Sequence, residues 1–280
     1  MFTFAQMLTR SITGSIFLLV VISAIVFSPW TFGALFLLLI ILGLHEFYTL
    51  LEKSGQHPQK WLGIISGSLI YIVLFLNNSS DIGITSFTFP IYIPPFFFIF
   101  IWELFRKKER PFNNIALTLL GIFYVAAPLS LWNIVAIKHG FLSPSLSYDW
   151  HYLLGFFFIM WTADTGAYLA GRFLGKHKLF ERISPKKTWE GFIGGIILSL
   201  VIAWINSLYY HELSLSQWII VALLTSVFGT LGDLVESMLK RSIDIKDSGN
   251  ILPGHGGILD RFDGVFIASP FVVTYLLMIR

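Results

Sequence analysis

The sequence predicts an all-α, polytopic integral membrane protein of about nine transmembrane helices, with its N-terminus in the cytoplasm. Three observations predict it. Hydrophobic residues make up 55% of the chain and charged residues only 12%, with a mean hydropathy of +0.75. A soluble domain carries about 25% charged residues, so this chain has too little polar surface to meet water, and Phe, occurring 28 times, suits lipid-facing packing. Apolar runs recur at the length of about 20 residues that a helix needs to cross the hydrocarbon core. The basic residues, finally, are unevenly distributed between the connecting segments.

Taken in order, the runs are 12–29, 32–51, 61–77, 88–105, 115–137, 152–171, 191–210, 217–240 and 263–280. The first follows Arg10 and resembles a signal peptide, but no small-residue cleavage pattern follows and a second span begins almost at once, so a retained helix is expected. The first and second are joined by a few residues around Pro29, which makes a tight hairpin. The fourth holds Pro90, Pro94 and Pro95 and is expected to be kinked or broken. With the N-terminus inside, the cytoplasmic segments hold Arg10; Lys53 and Lys60; Arg106, Lys107, Lys108 and Arg110; Arg172, Lys176, Lys178, Arg182, Lys186 and Lys187; and Lys240, Arg241, Lys246 and Arg261. Of the 19 Lys and Arg, only Lys138 and Arg280 fall elsewhere. Basic residues in short loops set orientation, and an eight- or ten-span threading that drops or splits an early helix scrambles this pattern.

The acidic residues add to the argument. Glu46, Glu103, Asp164, Asp233, Glu236 and Asp263 lie within or at the edges of spans, nearly all toward the cytoplasmic end. A charge at mid-membrane costs about 2.5–3.5 kcal/mol on insertion scales, so several at one depth imply a polar cavity open to the cytoplasm. For Glu46 and Glu103 a membrane-edge position fits at least as well as catalysis. There is no cysteine, which excludes a disulfide framework, a thiolate zinc site and a thiol nucleophile. No internal repeat, soluble domain or low-complexity linker interrupts the chain, so 1–280 reads as a single membrane domain, with 1–150 as scaffold and 151–280 carrying the chemistry.

The densest chemistry lies in the stretch GDLVESMLKRSIDIKDSGNILPGHGGILDRFDG, from Gly232 to Gly264. Asp233, Glu236 and Lys240 are three and four apart and share a helix face. A glycine-rich loop follows around Pro253, Gly254, His255, Gly256 and Gly257. Asp260 and Asp263 then stand three apart at the head of the last helix, with Arg261 between, where carboxylates suit the helix macrodipole. Asp233, Asp260 and Asp263 are hard oxygen donors of the kind that hold magnesium together with phosphate oxygens; singly, the last two also read as helix caps and Lys240 and Arg241 as membrane-edge anchors. Asp164 lies within the sixth span and reads as a cavity residue, or as an N-cap or a helix-to-helix hydrogen-bonding group. After it, ISPKKTWEG offers Ser184, Lys186, Lys187 and Thr188 before a helix start. That arrangement suits an oxyanion, and equally a positive-inside loop with Thr188 as N-cap of a capping box. Walker A is absent, since Gly171 and Gly175 stand one residue too close and no Ser or Thr follows Lys176. His255 is a lone loop histidine that suits a hydrogen bond better than metal ligation.

The run Ser237, Lys240, Arg241, Lys246, Asp247, Gly249, Leu252, Pro253, His255, Gly256, Gly257, Asp260, Arg261, Phe262, Asp263 resembles the signature of the phosphatidate cytidylyltransferases (CDP-diacylglycerol synthases). The segments ADTGAYLAG-R-x-x-G-KHK, ISPKKTWEG and GDLVES resemble family stretches in the same order, so the likeness covers about 160–264, while the N-terminal half matches in hydropathy alone. The resemblance implies attack of phosphatidate on the α-phosphorus of CTP, giving CDP-diacylglycerol and pyrophosphate. It also implies Mg2+, with a second cation such as K+, and a homodimer to which the N-terminal helices contribute contacts; no nucleic acid is expected. On this basis Asp233, Asp260 and Asp263 hold metal with Glu236 and Asp164 in reach, and Lys240, Arg241, Lys246 and Arg261 neutralise phosphates. Ser184, Lys186, Lys187, Thr188 and Asp247 contact CTP or pyrophosphate, and His255, Gly256 and Gly257 shape the nucleotide loop. Rival readings are a CTP-dependent lipid-alcohol kinase, a CDP-alcohol phosphotransferase, whose D-G-x-x-A-R motif is absent, and a secondary transporter, against which the missing repeat and the one-sided charges argue.

Overall fold

The computed structural model describes residues 4–79, 85–140, 143–243, 245, 249 and 256–279, with side chains outside 4–11, 85–92 and 138–146. Each of the nine apolar stretches lies on helix. α1 (Phe4–Phe27) and α2 (Pro29–Lys53) are separated by Ser28 alone. Ser28 and Thr31 form a reciprocal capping box, each side-chain oxygen accepting the other's backbone N–H at 3.1 Å, and Pro29 sits where a missing N–H costs nothing. α3 spans Lys60–Ser79 and α4 Thr85–Arg106. α4 runs as one helix through Pro90, Pro94 and Pro95, so of the kink or break expected from the sequence the break does not occur; membrane helices tolerate proline because neighbouring groups re-satisfy the freed carbonyls.

α5 (Pro111–Gly121) passes through a π-helical turn (Ile122–Ala126) into α6 (Ala127–Ala136). The Ala127 N–H donates to the Ile122 carbonyl, five residues back. Pro128 has no N–H for the preceding turn, and a single wide turn accommodates the lost bond. α7 (Trp150–Leu174), α8 (Trp189–Tyr209), α9 (Leu215–Ser242) and α10 (Leu259–Met278) complete the helices. Two short antiparallel hairpins join them, β1 (Ile137–Gly140) with β2 (Ser143–Tyr148) and β3 (Lys178–Phe180) with β4 (Ser184–Thr188). Both lie in segments read from the sequence as loops. Strand pairing satisfies backbone groups in connections too short for another helix.

Among the described residues, seven helices are long and apolar enough to cross a membrane: α2, α3, the α5–α6 rod, α7, α8, α9 and α10; the apolar part of α1, Ile12–Phe27, is shorter. Large apolar side chains such as Leu104, Phe123 and Trp204 remain exposed, as lipid-facing positions are. The chain is an all-α integral membrane protein.

Two compact units make up the chain, Met1–Tyr148 with Asp247–Arg261, and Asp149–Lys246 with Phe262–Arg280. In the first, α2 supplies much of the core through Phe32, Phe36, Leu44, Phe47 and Tyr48. The Tyr48 ring lies against Gly63 of α3 and Gly121 of α5, where any Cβ would strike it, and its hydroxyl donates to the Thr118 carbonyl at 2.6 Å. Glu103 is buried at the end of α4. It accepts from Gln59 Nε2 at 2.6 Å, Asn114 Nδ2 at 2.7 Å and Arg106 at 2.9 Å. That polar knot ties α4 to the starts of α3 and α5 and gives Glu103 a structural task.

In the second unit α7 and α8 pack along small residues. A methyl on Gly191 would stand 2.8 Å from the Ala167 carbonyl oxygen, and one on Gly195 2.8 Å from that of Ala163. Such close backbone approach is how membrane helices associate when no hydrophobic force separates helix from lipid. Ser226 of α9 donates to Ser199 of α8 at 2.7 Å, and Phe228 of α9 stacks on Phe271 of α10.

Candidate active site

The last turns of α9 carry the first acidic face. Glu236 and Lys240, one turn apart, pair at 2.5 Å with both side chains largely buried. Asp233 is half-exposed and holds two partners: Ser237 Oγ donates to its Oδ1 at 3.2 Å, and Lys187 Nζ lies 2.6 Å from its Oδ2. Lys187 also donates to the Thr230 carbonyl at 3.3 Å. Strand β4 is therefore fastened to α9 by the same lysine that the sequence placed in a loop.

Glycine brings α9 and α10 together beside these groups. A methyl on Gly232 would stand 2.5 Å from the Asp263 carbonyl oxygen and 2.9 Å from the Gly264 Cα, and one on Gly264 3.3 Å from the Gly229 Cα. With the backbones this close, Asp263 falls within Coulombic range of Asp233, Glu236 and Asp164. Its Oδ1 accepts the Gly264 N–H at 2.6 Å. Four carboxylates from α7, α9 and α10 thus gather in the second unit, with Lys187 and Lys240 on two of them. Carboxylate oxygens are the hard donors that a divalent cation takes. Among the described residues no three His, Cys, Asp or Glu side chains converge tightly enough to cage an ion alone; magnesium is usually held by one or two carboxylates with substrate phosphates and waters completing the shell.

The β3–β4 hairpin organises the start of α8. Thr188 is buried, and its hydroxyl accepts the Gly191 N–H at 3.2 Å as the helix N-cap. The N-cap half of the capping-box alternative is thus present, but the return bond does not form, because Gly191 occupies the third helical position and has no side chain to supply it. Glu190 turns instead to the hairpin and accepts the Lys176 N–H at 3.0 Å and pairs with His177 Nδ1 at 2.6 Å. Ser184 is half-buried and Lys186 exposed on the strand.

In the first unit, Asp260 Oδ2 accepts the Gly257 N–H at 2.9 Å, and Gly256 turns the chain into α10 with φ at +82°, a conformation that favours glycine. Arg261 is exposed on the first turn. Asp260 thus ties the glycine turn to the start of α10. Lys246, Asp247 and His255 lie outside the described residues.

A model of the cytidylyltransferase family matches residues 8–279. This chain belongs to that family. Among proteins similar to this cytidylyltransferase, one from Staphylococcus saprophyticus is 35% identical over 92% of this chain and 97% of its own length. Others are 35% identical over 97% and 99%, from Staphylococcus haemolyticus, and 36% over 92% and 96%, from Staphylococcus aureus. All three bear the name phosphatidate cytidylyltransferase. Two features of the cytidylyltransferase fold were missed in the sequence. The Ser237 bond to Asp233 was legible as a spacing of four on one helix. Glu46, for which the sequence left a membrane-edge position and a catalytic role open, is buried in α2 and accepts the Leu259 N–H at 2.8 Å; no local pattern signals that contact.

Proposed function

We propose that this protein transfers the cytidylyl group of CTP to phosphatidate, forming CDP-diacylglycerol and pyrophosphate for phospholipid synthesis. The observation that carries this reading is the match to relatives of that name along nearly the full length of both chains. The carboxylate and lysine cluster supports it, because the chemistry asks for charge management. A phosphatidate oxygen forms a bond to the α-phosphorus of CTP, and the bond from that phosphorus to the oxygen bridging to the β-phosphate breaks. The lipid phosphate is already anionic near neutral pH, so no strong base is required. Phosphoryl and nucleotidyl transfers are served mostly by positioning and electrostatic stabilisation.

In this reading Asp233 and Asp263, with Asp260 one turn earlier on α10 and with Glu236 and Asp164 nearby in sequence position or charge range, hold Mg2+. A bound Mg2+ would screen the triphosphate and stabilise charge on the departing pyrophosphate. A second cation, such as K+, belongs to the same reading. Ser237 orients Asp233, and Lys187 keeps the β4 strand against that carboxylate. Lys240, Arg241, Lys246 and Arg261 offset phosphate charge. Ser184, Lys186, Lys187, Asp247, His255, Gly256 and Gly257 receive the nucleotide, while Thr188 acts by capping α8.

The finer topology belongs to the same proposal: nine spans, a cytoplasmic N-terminus and an active site facing the cytoplasm of a bacterial inner membrane, in a homodimer. The asymmetry of Lys and Arg supports that threading. Purified protein given phosphatidate and cytidine-labelled CTP should form labelled lipid and pyrophosphate, with activity lost on chelation and restored by Mg2+. No labelled lipid and no pyrophosphate under any condition would sink the reading. Release of CDP instead would place the protein with the lipid-alcohol kinases.

A further inference from the structure

We infer that Glu46 is a positioning residue for cytidylyl transfer, a carboxylate on α2 that fixes the first turn of α10 and so the Asp260 that turn carries. The inference rests on the cytidylyltransferase reading above. Glu46 is 4% exposed in the last third of an apolar helix, where a carboxylate is costly unless hydrogen bonds or charges compensate it. What it meets is the start of α10. Its Oε2 accepts the Leu259 N–H at 2.8 Å, a bond between residues 213 apart in sequence. The first N–H groups of a helix have no partner within it, and the helix dipole favours negative charge there.

Local sequence cannot do this work. The residue preceding α10 is Ile258, whose side chain offers no acceptor, and the Asp260 carboxylate is turned back to the Gly257 N–H. α2, α8 and α9 begin differently, with Ser28, Thr188 and Ser214 as their own caps. The signature helix takes its acceptor from another helix.

A second observation comes from Gly249. A Cβ built there would collide with Glu46 Oε1 and lie 2.8 Å from its Cδ. The Gly249 backbone therefore rests directly on the carboxylate, and only glycine leaves room for it. Gly249 belongs to the run that resembles the family signature and Leu259 directly precedes its Asp260, and one buried carboxylate contacts both. Losing that anchor releases the turn that carries Asp260 and Arg261 and that leads, within the same helix, to Asp263.

The test compares Glu46→Leu, Glu46→Gln and Gly249→Ala in detergent-purified protein, each beside wild type. Leucine fills the space without an acceptor, whereas glutamine retains a carbonyl oxygen for Leu259. We expect Glu46→Leu to lower kcat roughly 10- to 100-fold, the range for residues that orient metal-binding groups, with a higher Mg2+ requirement and little change in KM for CTP. Glu46→Gln should retain most turnover. Hydrogen exchange provides the readout independent of activity: amides across 257–262 should lose protection in Glu46→Leu and keep it in Glu46→Gln. Gly249→Ala, which pushes the carboxylate aside, should reproduce the leucine phenotype and covers the case in which Glu46→Leu does not insert. Wild-type turnover and Mg2+ response in Glu46→Leu, or in Gly249→Ala where the former fails to insert, would overturn the inference, as would unchanged exchange. An inactive wild type would instead count against the cytidylyltransferase reading, leaving the exchange experiment to decide the anchor.

Discussion

Lys187 and Thr188 are neighbours in one strand with opposite tasks. Lys187 reaches out to Asp233 at 2.6 Å, whereas Thr188 is buried and closes the first turn of α8. Substitutions should separate them. Thr188→Ala removes an N-cap and should cost about 0.5–2 kcal/mol, read as a lower melting temperature with turnover per folded molecule largely kept. Lys187→Met leaves stability nearly unchanged, because a half-exposed ion pair contributes at most about 1 kcal/mol, yet it should reduce turnover by removing a positive charge from the phosphate-binding region. Asp263 sits among three other carboxylates, and Asp263→Asn should lower turnover by roughly 100-fold or more, the scale of losing one electrostatic group in a preorganised site. A variant that inserts normally and turns over at the wild-type rate would remove Asp263 from the metal set.

Among the elements, the α9–α10 pair decides where the acidic groups stand. Gly232 and Gly264 let the two backbones touch, and the Asp263 carbonyl leaves no space for a methyl at Gly232. Gly232→Ala should therefore destabilise by about 1–3 kcal/mol, as overpacking does. It should also lower turnover more than the stability loss explains, because separating the helices parts Asp233 from Asp263. A thermal melt and a turnover assay on the same preparation check both. The π turn before Pro128 and the two hairpins are likewise solutions to backbone hydrogen-bonding demands rather than to packing.

At the scale of the whole molecule, the charge asymmetry makes orientation measurable. The chain contains no cysteine, so each introduced thiol is the sole reactive one. Lys53→Cys and Lys108→Cys should react with an impermeant maleimide supplied from the cytoplasmic side of inverted vesicles. Lys138→Cys should react only from the opposite side. Labelling of all three from one side would overturn the nine-span threading.

The sequence by itself determined the membrane class and the position of every apolar stretch that lies on helix. These follow from composition and period, which act locally: burial of apolar length dictates helices, and spacing along one helix predicts pairs such as Glu236 with Lys240. Only the tertiary structure decided which partner each charged group takes. Lys187 meets Asp233 because β4 lies beside α9, Asp263 joins Asp233 because glycines admit close helix contact, and Glu46 caps a helix 213 residues away. Periodicity reports the face a side chain occupies and says nothing of what stands opposite. That is set by how helices cross, and helix crossing depends on distant residues acting together.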